Sequence, residues 1–516
     1  MHSHTLRRGV LACVAAVAMT LPAVAAQAAP RAEAPSTPVP FAPVEGEVNS
    51  YVINTAKANP GKAKQAERAV AAAGGTVVQS WPQIGVVIAH STHSDFLGKI
   101  RAVKGNVVES AGPTRTAAVS EGTPGTSGFR SKGASAYKKK PPFTNGDAPA
   151  PAPSPATGAG DPMESQQWDL QQINADKAHQ ITDGSRNVLV GVLDSGIDPD
   201  HPDLAPNLDR ATSVSCTGAG QPNQGMIDGK AAWEDTTSYH GTHVAGTIAA
   251  ARNGTGIVGV APNVRMASVK VVNDDGFIYP EYAICGFVWA AEKNMDVTNN
   301  SYFIDPFEFW CGDQPNQAAA KEAVRRAVDY ATGKGVVHAA AAGNSSYDLA
   351  NKTTDDTSPN DSTAVTRTVN STCHDIPTEL DGVVTVSSTD QARVKSPFSN
   401  YGNGVIDVAA PGSRILSTMP MDDPSRPGYA LLNGTSMASP HVAGVLALMK
   451  SVNPSATPAQ LIAQLRRQAT DTPCPATYPP QPPRYPQVQT CTGTPAYNGF
   501  YGDGIVDALK AVQSAR

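Results

Sequence analysis

The run Asn187-Val188-Leu189-Val190-Gly191-Val192-Leu193 is apolar, of strand length, and stops abruptly at Asp194-Ser195-Gly196. An unbroken apolar strand is one buried on both faces. Val264 to Val272, Val336 to Ala342 and Gly382 to Val386 share this character. Between such runs lie amphipathic stretches of helical period, including Glu281 to Glu292 and Asn316 to Thr332. This alternation predicts an α/β fold, a parallel sheet flanked by helices on both faces. Ligands of such sheets gather at the carboxyl ends of strands, so Asp194 stands where a site is expected. No internal repeat of solenoid length is evident.

Two further segments carry groups that Asp194 could serve. His240-Gly241-Thr242-His243-Val244-Ala245-Gly246 reads as a helix start, with small residues that would let it approach the sheet closely. Asn433-Gly434-Thr435-Ser436-Met437-Ala438-Ser439-Pro440 leads into the helical run Val442 to Met449, and Pro440 is expected in that helix's first turn. A serine at a helix N-terminus sits in a dipole field that favours a developing oxyanion. Its hydroxyl is a weak nucleophile until a base takes the proton. A carboxylate that accepts the base's other N–H fixes its tautomer and stabilises the imidazolium. Asp194, His240 and Ser436 supply these three parts in the order Asp, His, Ser. Nucleophile-elbow hydrolases run Ser, Asp, His and chymotrypsin-type proteases His, Asp, Ser, so the chain matches neither. The spacing of His240 and His243 would also suit a metal pair on one helix face. No Glu follows His240, however, as the zinc-peptidase pattern requires.

These motifs, extended through His441-Val442-Ala443-Gly444, resemble the subtilisin family of secreted serine peptidases. The resemblance covers residues 165–470 and resumes at Asn498 to Val512. It implies a subtilisin-like parallel sheet and a serine endopeptidase with Asp194, His240 and Ser436 catalytic and His243 structural. Asn344, closing the run that ends in Gly343-Asn344, is implied as an oxyanion donor together with the Ser436 backbone N–H. Ser301-Tyr302-Phe303 falls on a segment that borders the substrate cleft in the family, so these residues and Gly343 are implied in substrate binding. Bulky aromatics there, and an insertion from Tyr347 to Cys373, are expected to reshape the pockets for the substrate's P1 and P4 side chains. His338 is expected as a packed core residue. His201-Pro202-Asp203-Leu204 and the loop Asn253-Gly254-Thr255-Gly256-Ile257 resemble the family's main calcium site. Asp203, Asn253, Thr255 and Ile257 would hold a structural calcium through carboxylate, amide and backbone oxygens. Catalysis itself calls for no cofactor.

Arg7-Arg8, the apolar run Gly9 to Leu21 and Ala26-Gln27-Ala28 mark residues 1–28 as a signal peptide, too short to span a membrane. The mature chain is therefore expected outside the cell, with no membrane attachment. Residues 29–47, rich in Pro and Ala, are expected to be disordered. Residues 48–118 read β-α-β-β-α-β, with strands at Ser50–Ile53, Thr76–Trp81, Gly85–Ala89 and from Val107, and helices at Ala63–Ala73 and Phe96–Val103. That order predicts a small ferredoxin-like α+β unit, and it resembles the family's inhibitory propeptide. Residues 119–160 have the Pro/Ala/Gly/Ser composition of a linker; Lys138-Lys139-Lys140 reads as solvated there, and maturation cleavage is expected within it. By the same resemblance, residues 161–516 are expected to form the subtilisin-like catalytic domain.

Seven cysteines are present, of which Cys13 leaves with the signal. The remaining even number in an oxidising compartment points to disulfides. Cys474–Cys491 is the preferred pair, because it would close a Pro-rich loop between two helical stretches; the pairing of Cys216, Cys285, Cys311 and Cys373 stays open. A net charge of −5 without a clustered basic face argues against nucleic acid. The expected partners are polypeptide substrates and the chain's own propeptide, acting on a monomer. The alternative function is a non-catalytic secreted binding protein on the same fold, which would normally lack at least one of the four catalytic residues.

Overall fold

A computed structural model describes residues 1, 33–124, 148–149, 160–234, 237–422, 428–478, 481–482, 485–486 and 488–513. Near the N-terminus, β1 (Asn49–Thr55), α1 (Pro60–Ala72), β2 (Thr76–Trp81), β3 (Val86–Ser91), α2 (Phe96–Arg101) and β4 (Val108–Pro113) follow the predicted order. Asn59 caps α1 by accepting from Lys62 N (2.9 Å), and Pro60 occupies the first helical position. The strands form an antiparallel sheet in the order β2-β3-β1-β4. Side chains alternate across it. Tyr51, Ile53, Val87 and Ala89 pack on α1 and α2, whereas Val52, Val86 and Ile88 face the other way.

The larger part of the chain contains β5 (Leu189–Asp194), β6 (Val214–Gly218), β7 (Gln221–Asn223), α3 (His240–Ala249), β8 (Arg265–Lys270), α4 (Pro280–Glu292), β9 (Val297–Asn300) and α5 (Pro315–Gly333). It continues with β10 (Val337–Ala341), β11 (Val383–Thr389), β12 (Val408–Pro411), the antiparallel pair β13 (Ile415–Thr418) and β14 (Tyr429–Leu432), α6 (Thr435–Val452), α7 (Pro458–Gln468) and α8 (Ala508–Gln513). One sheet runs β12-β11-β10-β9-β5-β8-β6-β7, parallel throughout except for β7. Val190 and Val192 face α3 and α6, while Leu189 and Leu193 face α4 and α5, so both sides are buried as the apolar runs predict. Strand order reverses at β5, which has β8 on one side and β9 on the other. The carboxyl ends of β5 and β9 thus flank the crevice where open α/β sheets bind ligands.

The N-terminal sheet lies against α5. Its Val52, Trp81, Val86 and Ile88 belong to the same apolar cluster as Phe287, Ala319 and Ala323. Asn54 Nδ2 donates to Ala319 O (2.8 Å) and Arg326 Nη1 to Thr55 O (2.9 Å). A β-carbon on Gly112 would stand 2.6 Å from Asn316 O, so glycine permits this approach. Arg115, 3% exposed, lies 3.9 Å over the Tyr279 ring and pairs with Glu121 and Glu281.

Two expectations about chain order are corrected. Residues 35–47 are irregular yet anchored rather than disordered: Ser36 is buried and donates from N and Oγ to Asp313 (2.8 and 2.6 Å), and Thr37 N donates to Thr368 O (2.9 Å). Local composition could not reveal this, because the anchoring groups lie far along the chain. The start of the 119–160 segment is likewise packed, with Val119, Glu121 and Thr123 buried, and Ala148–Pro149 pairs with β14. The expected signal segment beyond Met1 and the remaining expected linker residues, including Lys138-Lys139-Lys140, lie outside the described residues. Cys474 and Cys491 are joined as expected; the open pairings resolve as Cys216–Cys285, tying β6 to α4, and Cys311–Cys373. Among the described residues no helix is long and apolar enough to cross a membrane.

Removing Arg115 leaves Glu281 and Glu121 buried without their cation, and breaking a buried pair in this way costs about 3–5 kcal/mol. Arg115→Ala, made on a Ser436→Ala background, is expected to lower the urea midpoint clearly. An unchanged midpoint would show that the pair contributes nothing.

Candidate active site

Asp194 is the last residue of β5, and His240 the first of α3. A β-carbon on Gly241 would stand 2.1 Å from Gly196 O and 3.1 Å from Asp194 Cβ, so only glycine lets the helix seat against the strand end. His240 Nδ1 lies 2.8 Å from Asp194 Oδ1, which also accepts from Ser195 N (2.7 Å). Asp194 is 1% exposed, and its Oδ2 is buried without a hydrogen-bond partner. A carboxylate can only accept, so this bond places the proton on Nδ1 and leaves Nε2 as the imidazole's basic nitrogen.

Helix α6 starts at Thr435, so Pro440 lies in its second turn and not in its first as expected. Proline has no N–H, and the carbonyl of Ser436, four residues earlier, loses its helical donor. Ser301 Oγ donates to that carbonyl instead (2.9 Å), which is why the helix tolerates the proline. In return the Ser436 hydroxyl donates to the carbonyl of Ser301 (3.3 Å). Asn299 Nδ2 donates to Ser301 Oγ (2.8 Å), while Asn299 Oδ1 accepts from Ser439 Oγ (2.7 Å). The sequence offered Ser301 only as a residue bordering substrate; its grip on Ser436 depends on β9 meeting α6 and has no local signal.

Asn344 is oriented by Thr435, whose N and Oγ1 both donate to Asn344 Oδ1 (2.7 and 3.0 Å). With the oxygen end so held, the Nδ2 end is left as a donor. Gly343 N donates to Thr435 Oγ1 (3.1 Å); its φ is +95°, and a β-carbon there would meet Asn400 Nδ2 at 2.4 Å. Tyr302 donates its hydroxyl to Asn300 Oδ1 (3.1 Å), and burial pushes its ionisation well above the usual tyrosine range. All eight residues expected in catalysis or substrate binding line one cleft of ≈ 510 Å³. His243 is fully buried, bonds through Nε2 to Ile415 O and Ala430 O (3.1 and 3.2 Å), and is lowered by burial to about 3, so it stays neutral. His338 is also pushed down by burial to about 3, in contact with Thr298 Oγ1 (2.7 Å).

A second cluster gathers Asp203 and the 253–257 loop. Ile257 N and Tyr429 OH donate to Asp203 Oδ2 (3.0 and 2.9 Å), Asn253 Nδ2 reaches Asp203 Oδ1 (3.4 Å), and Thr255 N donates to Asn253 Oδ1 (2.9 Å). Asp161, unanticipated because it sits at the end of the low-complexity segment, accepts from Gly254 N (2.6 Å). Its Oδ2 is buried without a partner. Burial first, with the Asp161 charge adding to it, pushes the Asp203 carboxyl up to about 6. Two crowded carboxylates, an orphaned oxygen and neighbouring amide and carbonyl oxygens suit a hard divalent cation.

Comparison with known proteins gives the same picture. The Subtilase family model (Peptidase_S8) matches residues 185–504. "Subtilisin" of Bacillus pumilus is 36% identical over 307 residues, covering 60% of this chain and 92% of that protein, and "Subtilisin E" of Bacillus subtilis is 35% identical over the same length, covering 67% of its own. Among solved structures, fervidolysin from Fervidobacterium pennivorans, a keratinolytic enzyme related to subtilisin, superposes with a TM-score of 0.61 at 23% identity. That match covers 92% of this chain and 63% of the longer protein. The epidermin leader peptide processing serine protease of Staphylococcus aureus superposes with a TM-score of 0.62 at 20% identity, covering 91% and 99%. These two likenesses speak to fold alone, whereas the family match spans most of the chain: it belongs to the subtilase family and is a subtilisin-like serine endopeptidase.

Proposed function

We propose that the chain is an exported proenzyme that hydrolyses peptide bonds through Ser436, His240 and Asp194, with Asn344 at the oxyanion. The observation that carries this reading is the 2.8 Å bond from His240 Nδ1 to Asp194, in the cleft that also holds Ser436 and the oriented amide of Asn344. Attack requires the Ser436 hydroxyl to leave Ser301 O and give its proton to His240 Nε2. Oγ attacks the substrate carbonyl carbon as its proton passes to Nε2, and Asp194 stabilises the imidazolium. The carbonyl oxygen, now an anion, accepts from Asn344 Nδ2 and from the Ser436 N–H, which at the start of α6 has no intrahelical acceptor. Collapse expels the amine with the proton from Nε2 and leaves an acyl-enzyme. Water, deprotonated by the same nitrogen, attacks the ester and releases the acid and the Ser436 hydroxyl.

Residues 48–118 would act as the intramolecular propeptide, on the support of their packing into the α4–α5 apolar cluster. The substrates are polypeptides, and the mature enzyme would work as a secreted monomer. Asp203, Asn253, Thr255, Ile257 and the newly found Asp161 would hold a calcium ion, whose contribution is to stabilise the fold.

Ser436→Ala is expected to lose about 10⁶-fold in kcat, the magnitude known for the nucleophile of subtilisin. The purified variant should also remain uncleaved in the 119–160 segment; casein cleavage near the wild-type rate would refute the assignment. Asn344→Ala is expected to reduce kcat by about 10²–10³ with little change in KM, again on the subtilisin scale. A change confined to KM would remove Asn344 from the oxyanion site. For calcium, protons and the ion compete for Asp203. Its folded value of about 6 lies above the ordinary 3.8, so without calcium stability falls as pH rises through this interval. Calcium offsets that loss only once the proton has left. The rise in Tm on adding calcium should therefore be larger at pH 8 than at pH 5 and vanish in Asp203→Asn. An increment that persists in Asp203→Asn would refute the site.

A further inference from the structure

The cleft is unusually one-signed. Its lining includes the carboxylates of Asp274, Asp275, Glu308 and Asp375 besides Asp194, and among the described lining residues there is neither lysine nor arginine. Asp274 is partnered by Lys270 (3.2 Å). Asp375 is different. It is 2% exposed, and its Oδ1 is buried with no hydrogen-bond partner. Its Oδ2 lies 3.6 Å from the point a β-carbon on Gly343 would occupy, immediately beside Asn344. That is the wall against which the side chain preceding the scissile bond must rest if Asn344 is to reach the carbonyl oxygen.

The surrounding charges do not neutralise it. Asp375 N donates to Glu379 Oε2 (2.7 Å), and Lys352, the cation facing the group, is committed to Glu379 Oε1 (2.6 Å) and to Leu349 O (2.9 Å). Glu308, which also lines the cleft, adds a further carboxylate, steadied by Thr357 Oγ1 (3.1 Å). A buried carboxylate without a cation is costly, and a site built this way gains most from a ligand that brings the missing charge. Burial, with Glu379 and Glu308 nearby, raises the Asp375 carboxyl well above its usual range, so the ionised form is disfavoured in the empty cleft and a cation in the pocket would favour it.

We propose that the P1 pocket of this cleft, floored by Asp375 and flanked by Glu308, selects a lysine or arginine side chain. The proposal rests on the serine-peptidase reading above and adds its substrate class. An ammonium or guanidinium entering the pocket would pair with Asp375 and supply the donors that its Oδ1 lacks. The chain carries basic side chains of this kind in its own 119–160 segment, at Arg130, Lys132 and Lys138 to Lys140.

The test uses the mature enzyme from the full chain and peptide p-nitroanilides that differ only at P1. Labelling of Ser436 by a fluorophosphonate counts active sites. Arginine and lysine substrates are expected to exceed leucine and phenylalanine in kcat/KM by on the order of 10²-fold, the scale of a buried charge pair. Asp375→Asn should reduce the Arg/Leu ratio by about 10-fold or more, mainly through KM, and Glu308→Gln should reduce it less. A purely structural role for Asp375 would lower all substrates together and leave the ratio intact. A labelled, active wild type that prefers leucine or phenylalanine overturns the proposal even if Asp375→Asn does not fold, and so does a ratio unmoved in a folded Asp375→Asn. Failure of the peptidase reading would look different: no labelling and no cleavage of any peptide, which removes the pocket's role with it.

Discussion

Pro440 cannot donate a hydrogen bond, so the carbonyl of Ser436 must find its donor outside the helix. It finds Ser301 Oγ, and Ser301 O in turn accepts the Ser436 hydroxyl. This reciprocal pair fastens the start of α6 to the end of β9. Thr435, one residue earlier, then falls within reach of Asn344, just beyond β10, and holds its amide oxygen. On the other side of β9, the end of β5 presents Asp194 to the first residue of α3. Strand ends and helix starts converge at one crevice because the strand order reverses there. Each arrives with polar groups that its own element cannot satisfy.

Close approach is the second requirement, and depth does the rest. Gly241 and Gly343 remove β-carbons that would collide with Gly196 O and Asn400 Nδ2. His240 and His243 lie three positions apart on one helix, yet their fates differ. The side chain of His240 is 27% exposed and bonded to a carboxylate, whereas His243 is sealed among backbone carbonyls and kept neutral by burial. The same residue type serves as the candidate base in one place and as packing in the other, and solvent access with partner chemistry makes the difference.

The N-terminal unit shares this economy of contact. Its sheet has one face for its own helices and one face that continues into the α4–α5 cluster, so the apolar core has no boundary at residue 118. Arg115 penetrates further, between aromatic rings and two carboxylates supplied from both sides of the junction.

Much of the architecture was legible in residues alone. Uniformly apolar runs predict strands buried on both faces, and their parallel sheet follows; the six N-terminal elements appear in the predicted order because each is defined by its local period. The Asp, His and Ser segments are likewise short and self-contained. What was not legible is whatever depends on partners distant in sequence. The anchoring of residues 35–47 by Asp313, the role of Asp161 beside Asp203, and the clamp of Ser301 on Ser436 have no local pattern. A local rule places Pro440 at the helix start, whereas it stands in the second turn because the Ser301 hydroxyl, just after β9, supplies the acceptor's missing donor. Sequence by itself determined which elements form and which reactive groups they carry, since periodicity and side-chain chemistry are local properties. Only the tertiary structure decided which of those groups meet, how deeply each is buried and which carboxylate is left without a counterion, because these depend on packing between segments hundreds of residues apart.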